Sequence, residues 1–175
     1  MMNRIALIIA VGFSLLGAGC FPVQPPEKTE EAQPEAAVPV SFIIPGVNQE
    51  RKEIDLASFK GQVVLLDFWA TWCLPCKWEL SSLNVLYREL KDKGFAVVGM
   101  TVDLGTLAEV TEAVSRFDLA FPAGLAGEEV QALYGGIRAI PTLFLVDRNG
   151  IVRKKYLGVT SDSQLRSDIE PLLTE

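Results

Sequence analysis

Two cysteines and two tryptophans crowd the stretch DFWATWCLPCK, residues 67 to 77, in which Cys73 and Cys76 lie one helical turn apart with Leu74 and Pro75 between them. At the first turn of a helix, unpaired backbone amides and the helix dipole stabilise negative charge, so a thiol at Cys73 would ionise readily. A thiol at Cys76, one turn in on the same face, can reach the first sulfur, and the pair is suited to cycle between dithiol and disulfide. Pro75 falls early in that helix, where its missing amide costs nothing and its ring stiffens the turn. Three blander readings compete. A purely structural disulfide is one, but a loop closed over two residues constrains the unfolded chain little. A zinc site would need two further ligands, and the chain has neither a histidine nor a second pair of this spacing. Buried inert thiols fit poorly with two tryptophans and a helix start.

The rest of the composition narrows the chemistry further. With 175 residues, 49% of them hydrophobic and 22% charged, the chain can bury one ordinary core. Its net charge of -6 is mixed in sign along the sequence, without a Lys/Arg cluster that could track a phosphate backbone, so nucleic acid is not an expected partner. The absence of histidine excludes Cys-His and Ser-His nucleophile pairs and imidazole metal sites. It also excludes a C-x-x-C-H haem attachment, because Lys77 occupies the histidine position. Thiols and carboxylates remain, and no cofactor or metal is implied.

Residues 1–20, MMNRIALIIAVGFSLLGAGC, have the order of a secretory signal: one basic residue, Arg4, then an apolar run, then small residues. The end resembles a bacterial lipoprotein signal in which Cys20 would be lipidated, with Gly17 where a leucine is usual. An uncleaved anchor is the alternative, although residues 5 to 19 fall short of the ~20 apolar residues that a span needs. Either way the remainder is expected outside the cytoplasm, tethered to a membrane. Residues 21–38, FPVQPPEKTEEAQPEAAV, are rich in Pro, Glu and Ala without an apolar period, which is the composition of a disordered, extended spacer.

From residue 39 to 175 the pattern is that of a folded domain. VPVSFII and RKEI, joined by PGVNQE, predict a small hairpin, and DLASF a helical turn closed by Gly61. VVLLDFW, 63 to 69, is an apolar run holding one acid, as in a strand buried on both faces of a parallel sheet. After the cysteines, Leu80, Leu83, Leu86 or Tyr87 and Leu90 recur at helical spacing, with Gly94 past the end. FAVVGMTV predicts a second buried strand, TLAEVTEAVSRF an amphipathic helix, and GEEVQALYG a short one; AFPAG between them is merely apolar. TLFLVD and IVRKKYLG predict strands joined at Arg148-Asn149-Gly150, and SDSQLRSDIEPLL a closing helix capped by Ser161 or Asp162. The order predicts a three-layer α/β/α sandwich with a mixed central sheet.

DFWATWCLPCK resembles the active site of thioredoxin-fold proteins, and GIRAIPTLFLVD, 136 to 147, resembles the cis-proline loop of the same family. The likeness covers about residues 39–175. The N-terminal anchor, the hairpin and a long central insertion, residues 103 to 140, point to the membrane-anchored TlpA/ResA-like subgroup. The resemblance implies that Cys73 is the attacking thiol and Cys76 the resolving one. It makes Pro141, preceded by Ile140, a cis-proline whose backbone docks a substrate peptide, and it matches Asp67 to a buried acid. Independently, a carboxylate alone in VVLLDF should have a raised pKa and could relay the resolving thiol's proton. Trp72 is expected to shield the sulfur and Trp69 to serve as core. Many relatives carry a glutamate and then a proline two residues later in this helix; Glu79 is present, as a functional group or, more plainly, a surface acid of the helix, and Ser81 in place of the proline should leave the helix straighter.

The implied activity is thiol-disulfide exchange, in the direction of reducing protein disulfides, with a membrane electron donor for re-reduction and apocytochrome c as a candidate substrate. The place would be the bacterial cell envelope, facing the periplasm or extracytoplasmic space. The glutamate that often follows the cis-proline loop in dedicated cytochrome-maturation reductases is missing here, since Thr142 and Leu143 follow Pro141. A thiol peroxidase of the related peroxiredoxin type is a second reading, but Ala70 stands where those enzymes place a threonine. A copper-binding or redox-sensing module is a third, and relatives that deliver copper add a histidine absent from this chain.

Overall fold

A computed structural model describes residues 43–47, 53–103 and 105–175, with side chains from residue 46 onward within those ranges. The expected anchor with Cys20 and the spacer of residues 21–38 lie outside the described residues, as does the domain boundary placed at residue 39. Among the described residues, no helix is long and apolar enough to cross a membrane.

The apolar run at the centre of the sequence becomes the centre of the sheet. Strand β3, Val63–Trp69, is buried at every position. It pairs in parallel with β4, Phe95–Thr101, and antiparallel with β6, Thr142–Val146. The edges are β5, Ala123–Leu125, parallel to β4, and β7, Val152–Leu157, antiparallel to β6, giving the order β5-β4-β3-β6-β7. Strands β1, Ile43–Pro45, and β2, Glu53–Asp55, form the expected hairpin, with Ile44 opposite Ile54. DLASF yields a 3-10 turn, Leu56–Phe59, in which Asp55 Oδ1 accepts a hydrogen bond from the Ala57 amide at 2.8 Å.

Alternation along β3 sends its side chains to two cores. Val63, Leu65 and Trp69 face helices α1, Leu74–Leu90, α2, Leu107–Arg116, and α4, Asp162–Thr174. Val64, Leu66 and Phe68 face the hairpin, the 3-10 turn and Tyr134, which follows α3, Glu128–Leu133. The three layers and the mixed sheet agree with the sequence. Strand β5 does not: AFPAG carries Pro122 and Gly124 and shows no alternation. Its strand conformation comes from partners distant in sequence, with Gly99 N donating to Pro122 O and Val47 N to Ala123 O, both at 2.9 Å. The helix after the cysteines ends at Leu90, the last of its periodic leucines. A 3-10 turn, Lys91–Lys93, intervenes before Gly94 turns left-handed at φ 84°.

One glycine in β4 is required by close approach. A Cβ at Gly99 would lie 3.2 Å from Trp69 Nε1 and 3.3 Å from both Ala123 Cβ and Phe121 Cε2, all in the packed interior. Gly99→Ala is therefore expected to destabilise the protein by ~1–3 kcal/mol through overpacking, read as a lowered urea midpoint at unchanged slope. A midpoint equal to the parent's would show that β5 moves aside freely.

Candidate active site

The site forms where β3 ends. After Trp69 the chain turns through Ala70–Trp72, with Cys73 N donating to Ala70 O at 3.1 Å, and enters α1. Cys73 is the N-cap residue; its sulfur accepts from the Cys76 amide at 3.2 Å, and Pro75 sits within the first turn where no amide is needed. The two sulfurs are bonded, 2.03 Å apart, with 5.3 Å between the Cα atoms. Both cysteines are buried, Cys76 more fully than Cys73, at 1% and 4% exposure. On reduction, a thiolate at Cys73 would lie at the positive end of a 17-residue helix.

The register of the sheet brings the second loop to the same end. Phe68 pairs with Thr142, so Ile140 and Pro141 arrive beside the turn that follows Trp69. The Ile140–Pro141 bond is cis. Pro141 O accepts from Gly158 N at 2.9 Å, and the Thr142 hydroxyl donates to Ala139 O at 2.8 Å, which fixes the loop on both sides. Trp72 stands 72% exposed beside the cysteines, whereas Trp69 is fully buried, its ring edge-on to Phe117 at 6.0 Å.

Two carboxyl groups are buried between β3 and α1: Asp67 alternates with Leu65 and Trp69, which face that helix, and Glu79 belongs to the helix's buried face. Asp67 is 1% exposed, and neither of its oxygens has a hydrogen-bond partner among the described protein groups. Burial, and secondarily the charge of Glu79, push the Asp67 carboxyl well above the ordinary carboxylate range. Glu79 corrects the reading of it as a surface acid: it is 2% exposed, and its Oε1 accepts from the Thr160 amide at 2.8 Å. The reason is helical phase. Glu79 follows Cys76 by three residues and precedes Leu83 by four, so it lies on the buried face with Leu86 and Leu90. The leucine spacing carried that signal, and hydrophilicity alone concealed it.

A further acid escaped the sequence reading altogether. Asp103, just past β4, accepts from Thr71 N at 2.8 Å and from the Thr71 hydroxyl at 3.0 Å, and also from the Thr101 hydroxyl. It thereby ties the turn before Cys73 to the end of the neighbouring strand. Asp103→Ala should cost about 1–3 kcal/mol by leaving those donors without their acceptor, and Asp103→Asn, which keeps an acceptor for the Thr71 amide, should restore part of it. Equal urea midpoints for the parent and the alanine variant would remove this role.

Paired sulfurs at a helix start, a facing cis-proline loop and a five-stranded mixed sheet define a thioredoxin-fold thiol-disulfide oxidoreductase. Residues 31–173 match the Redoxin family, and the chain belongs to it. It is similar to thiol-disulfide oxidoreductase ResA of Bacillus thuringiensis subsp. konkukian, 33% identical over 172 residues that span 97% of each chain. ResA of Bacillus cereus is 35% identical over 164 residues, 93% of this chain and 88% of the relative. Among solved structures, a thioredoxin-family thiol:disulfide interchange protein from Chlorobium tepidum superposes with a TM-score of 0.68 at 28% identity, covering 76% of this chain and 93% of its own. StoA from Bacillus subtilis gives 0.63 at 28% identity, covering 80% and 100%.

Proposed function

We propose that the protein is a membrane-tethered, extracytoplasmic reductase of protein disulfides and that Cys73 and Cys76 are its exchanging pair. The observation that carries this reading is the disulfide at the N-terminus of α1, with Asp67 buried on the face of β3 that this helix covers. In the reduced protein, the Cys73 thiolate attacks one sulfur of a substrate disulfide. A Cys73–substrate disulfide forms, and the other substrate sulfur leaves as a thiolate that takes up a proton. Asp67 then accepts the Cys76 proton, and the Cys76 thiolate attacks the Cys73 sulfur, releasing the second substrate thiol. The substrate gains two electrons and two protons, and the enzyme is left as the Cys73–Cys76 disulfide. Ile140 and Pro141 hold the substrate backbone, while Trp72 borders the attacking sulfur and Pro75 keeps the turn rigid. A dithiol donor in the membrane re-reduces the pair.

Tethering rests on the sequence of residues 1–20, with Cys20 as the lipidated residue, and residues 21–38 give the folded domain, 39–175, its reach. Apocytochrome c, with its paired cysteines, is the substrate to test first. Direction is tested by equilibrating the protein against dithiothreitol and glutathione buffers. A reduction potential near or below about -250 mV is expected for a reductase, and a value near about -120 mV would reverse the assignment to a disulfide donor.

A further inference from the structure

The outward face of α1 carries an uncharged apolar strip that packing among the described residues leaves uncovered. Leu74, Trp78 and Val85 are 56%, 64% and 53% exposed. At about 100° per residue they fall within roughly 40° of one another, on the side opposite the buried Leu80, Leu83 and Leu86. The neighbouring outward positions are Pro75, Ser81 and Ser82. The charged residues of these turns are aimed elsewhere: the Lys77 ammonium lies over the Phe117 ring at 5.5 Å, and Glu79 is buried against Thr160. Charge returns to the outward face only at Arg88 and Glu89, which meet Asp118 and Arg166. A surface helix ordinarily carries polar or charged groups on this face, and exposed apolar groups gathered in one place mark an interaction site.

We infer that this strip docks the polypeptide whose disulfide exchanges with Cys73, by taking uncharged apolar side chains that lie within a few residues of the substrate cysteine. The inference rests on the exchange reaction proposed above. Two observations choose this occupant. The strip starts at Leu74, the residue after Cys73, and continues the exposed surface of Trp72, so a chain held in a mixed disulfide at Cys73 lies within reach of its beginning. It also offers no charge, which matches an apolar segment and not an anionic lipid surface, a poor partner for a chain of net charge -6. From Leu74 to Val85 the helix rises about 16 Å, the span of about five residues of extended chain. Selectivity should therefore extend about that far from the substrate cysteine.

The test uses the full-length reduced protein and synthetic peptides that carry one cysteine as a chromogenic mixed disulfide, with leucine and phenylalanine or with serine at positions up to five from the cysteine. Bis(2-hydroxyethyl) disulfide is the control that cannot reach the strip. The parent protein should favour the apolar peptides by about tenfold or more, through tighter binding and not a faster maximal rate. Trp78→Ser and Trp78→Ser with Val85→Ser should erase that preference while exchange with the small disulfide changes less than about twofold. Parent selectivity of that size lost in both variants supports the strip as a docking site. Equal rates on apolar and polar peptides in the parent, or a preference that survives in the variants, overturns it. A uniform gain for every peptide in the variants overturns it in favour of a segment of this chain lying on the strip, and rates that fall with protein concentration do so in favour of a second copy. A reduced protein that exchanges with the small disulfide but shows none of this selectivity leaves the proposed reaction standing, whereas one that exchanges with neither overturns both.

Discussion

Replacing Cys76 with serine is expected to lower turnover of protein disulfides by on the order of 10³-fold or more while a substrate accumulates on Cys73 as a mixed disulfide. The buried position of Cys76 explains the asymmetry. It is 1% exposed, against 4% for Cys73 at the N-cap, so in the proposed reaction an incoming disulfide meets the N-cap sulfur first. Its amide donates to the Cys73 sulfur, which places its own sulfur for attack on the intermediate and for nothing outside the protein. A serine there can still support the helix but cannot displace the substrate. Non-reducing electrophoresis of cell-envelope extracts after alkylation should show a higher-mass species that collapses on reduction, and mass spectrometry would name the attached cysteine. Cys73→Ser should trap nothing. Trapping by Cys73→Ser in place of Cys76→Ser would exchange the two roles, and undiminished turnover in either variant would remove the pair from the mechanism.

The second large effect is expected at Asp67, where stability and rate should move in opposite directions. Because the folded-state pKa lies above the ordinary value of 3.8, the native protein retains a proton that the unfolded chain has already released. Stability from this group is therefore complete below the unfolded value and is lost as pH rises through the raised folded value. Asp67→Asn removes the linkage, so the variant should be more stable than the parent at pH 8 by ~1–3 kcal/mol, with a flatter profile between pH 5 and 8. The same change removes the proton acceptor proposed for the resolving thiol and should slow resolution of the mixed disulfide by about 10²-fold. Urea midpoints at the two pH values and single-turnover decay of a preformed mixed disulfide measure the two effects. A variant less stable than the parent at pH 8 would show that the carboxyl has a charged partner when folded. An unchanged decay would show that the Cys76 proton leaves by another route, for which Glu79, whose charge bears on Asp67, is the candidate group.

What was legible in the chain was whatever repeats at short range. Strand β3 could be read because its seven residues, apolar except for Asp67, show no polar face, and α1 because its leucines return every three or four residues. The cysteine spacing placed two sulfurs on one turn of a helix before any fold was known. The hairpin, the 3-10 turn and the closing helix carried their own turn and cap residues; Ser161 Oγ does accept from Gln164 N, at 3.3 Å. These elements fix the order of strands and helices, and the order restricts the fold to a mixed sheet between two covering layers.

The elements that escaped are those whose character is lent by a distant partner. AFPAG has no strand pattern and becomes β5 because β4 and Val47 hold its backbone. Glu79 looks hydrophilic and is buried because the helical phase and the Thr160 amide put it there. Asp103 looks like a loop acid and closes the turn before Cys73 through a residue 32 positions away. By itself, then, the sequence determined the order of the locally patterned elements and the pairing of sulfurs, since both depend on spacings of a few residues that local geometry translates directly. Only the tertiary structure decided which carboxyl groups are buried between β3 and α1 or tied to the turn before Cys73, because burial and hydrogen bonding of an acid depend on the groups that packing brings to it from elsewhere in the chain.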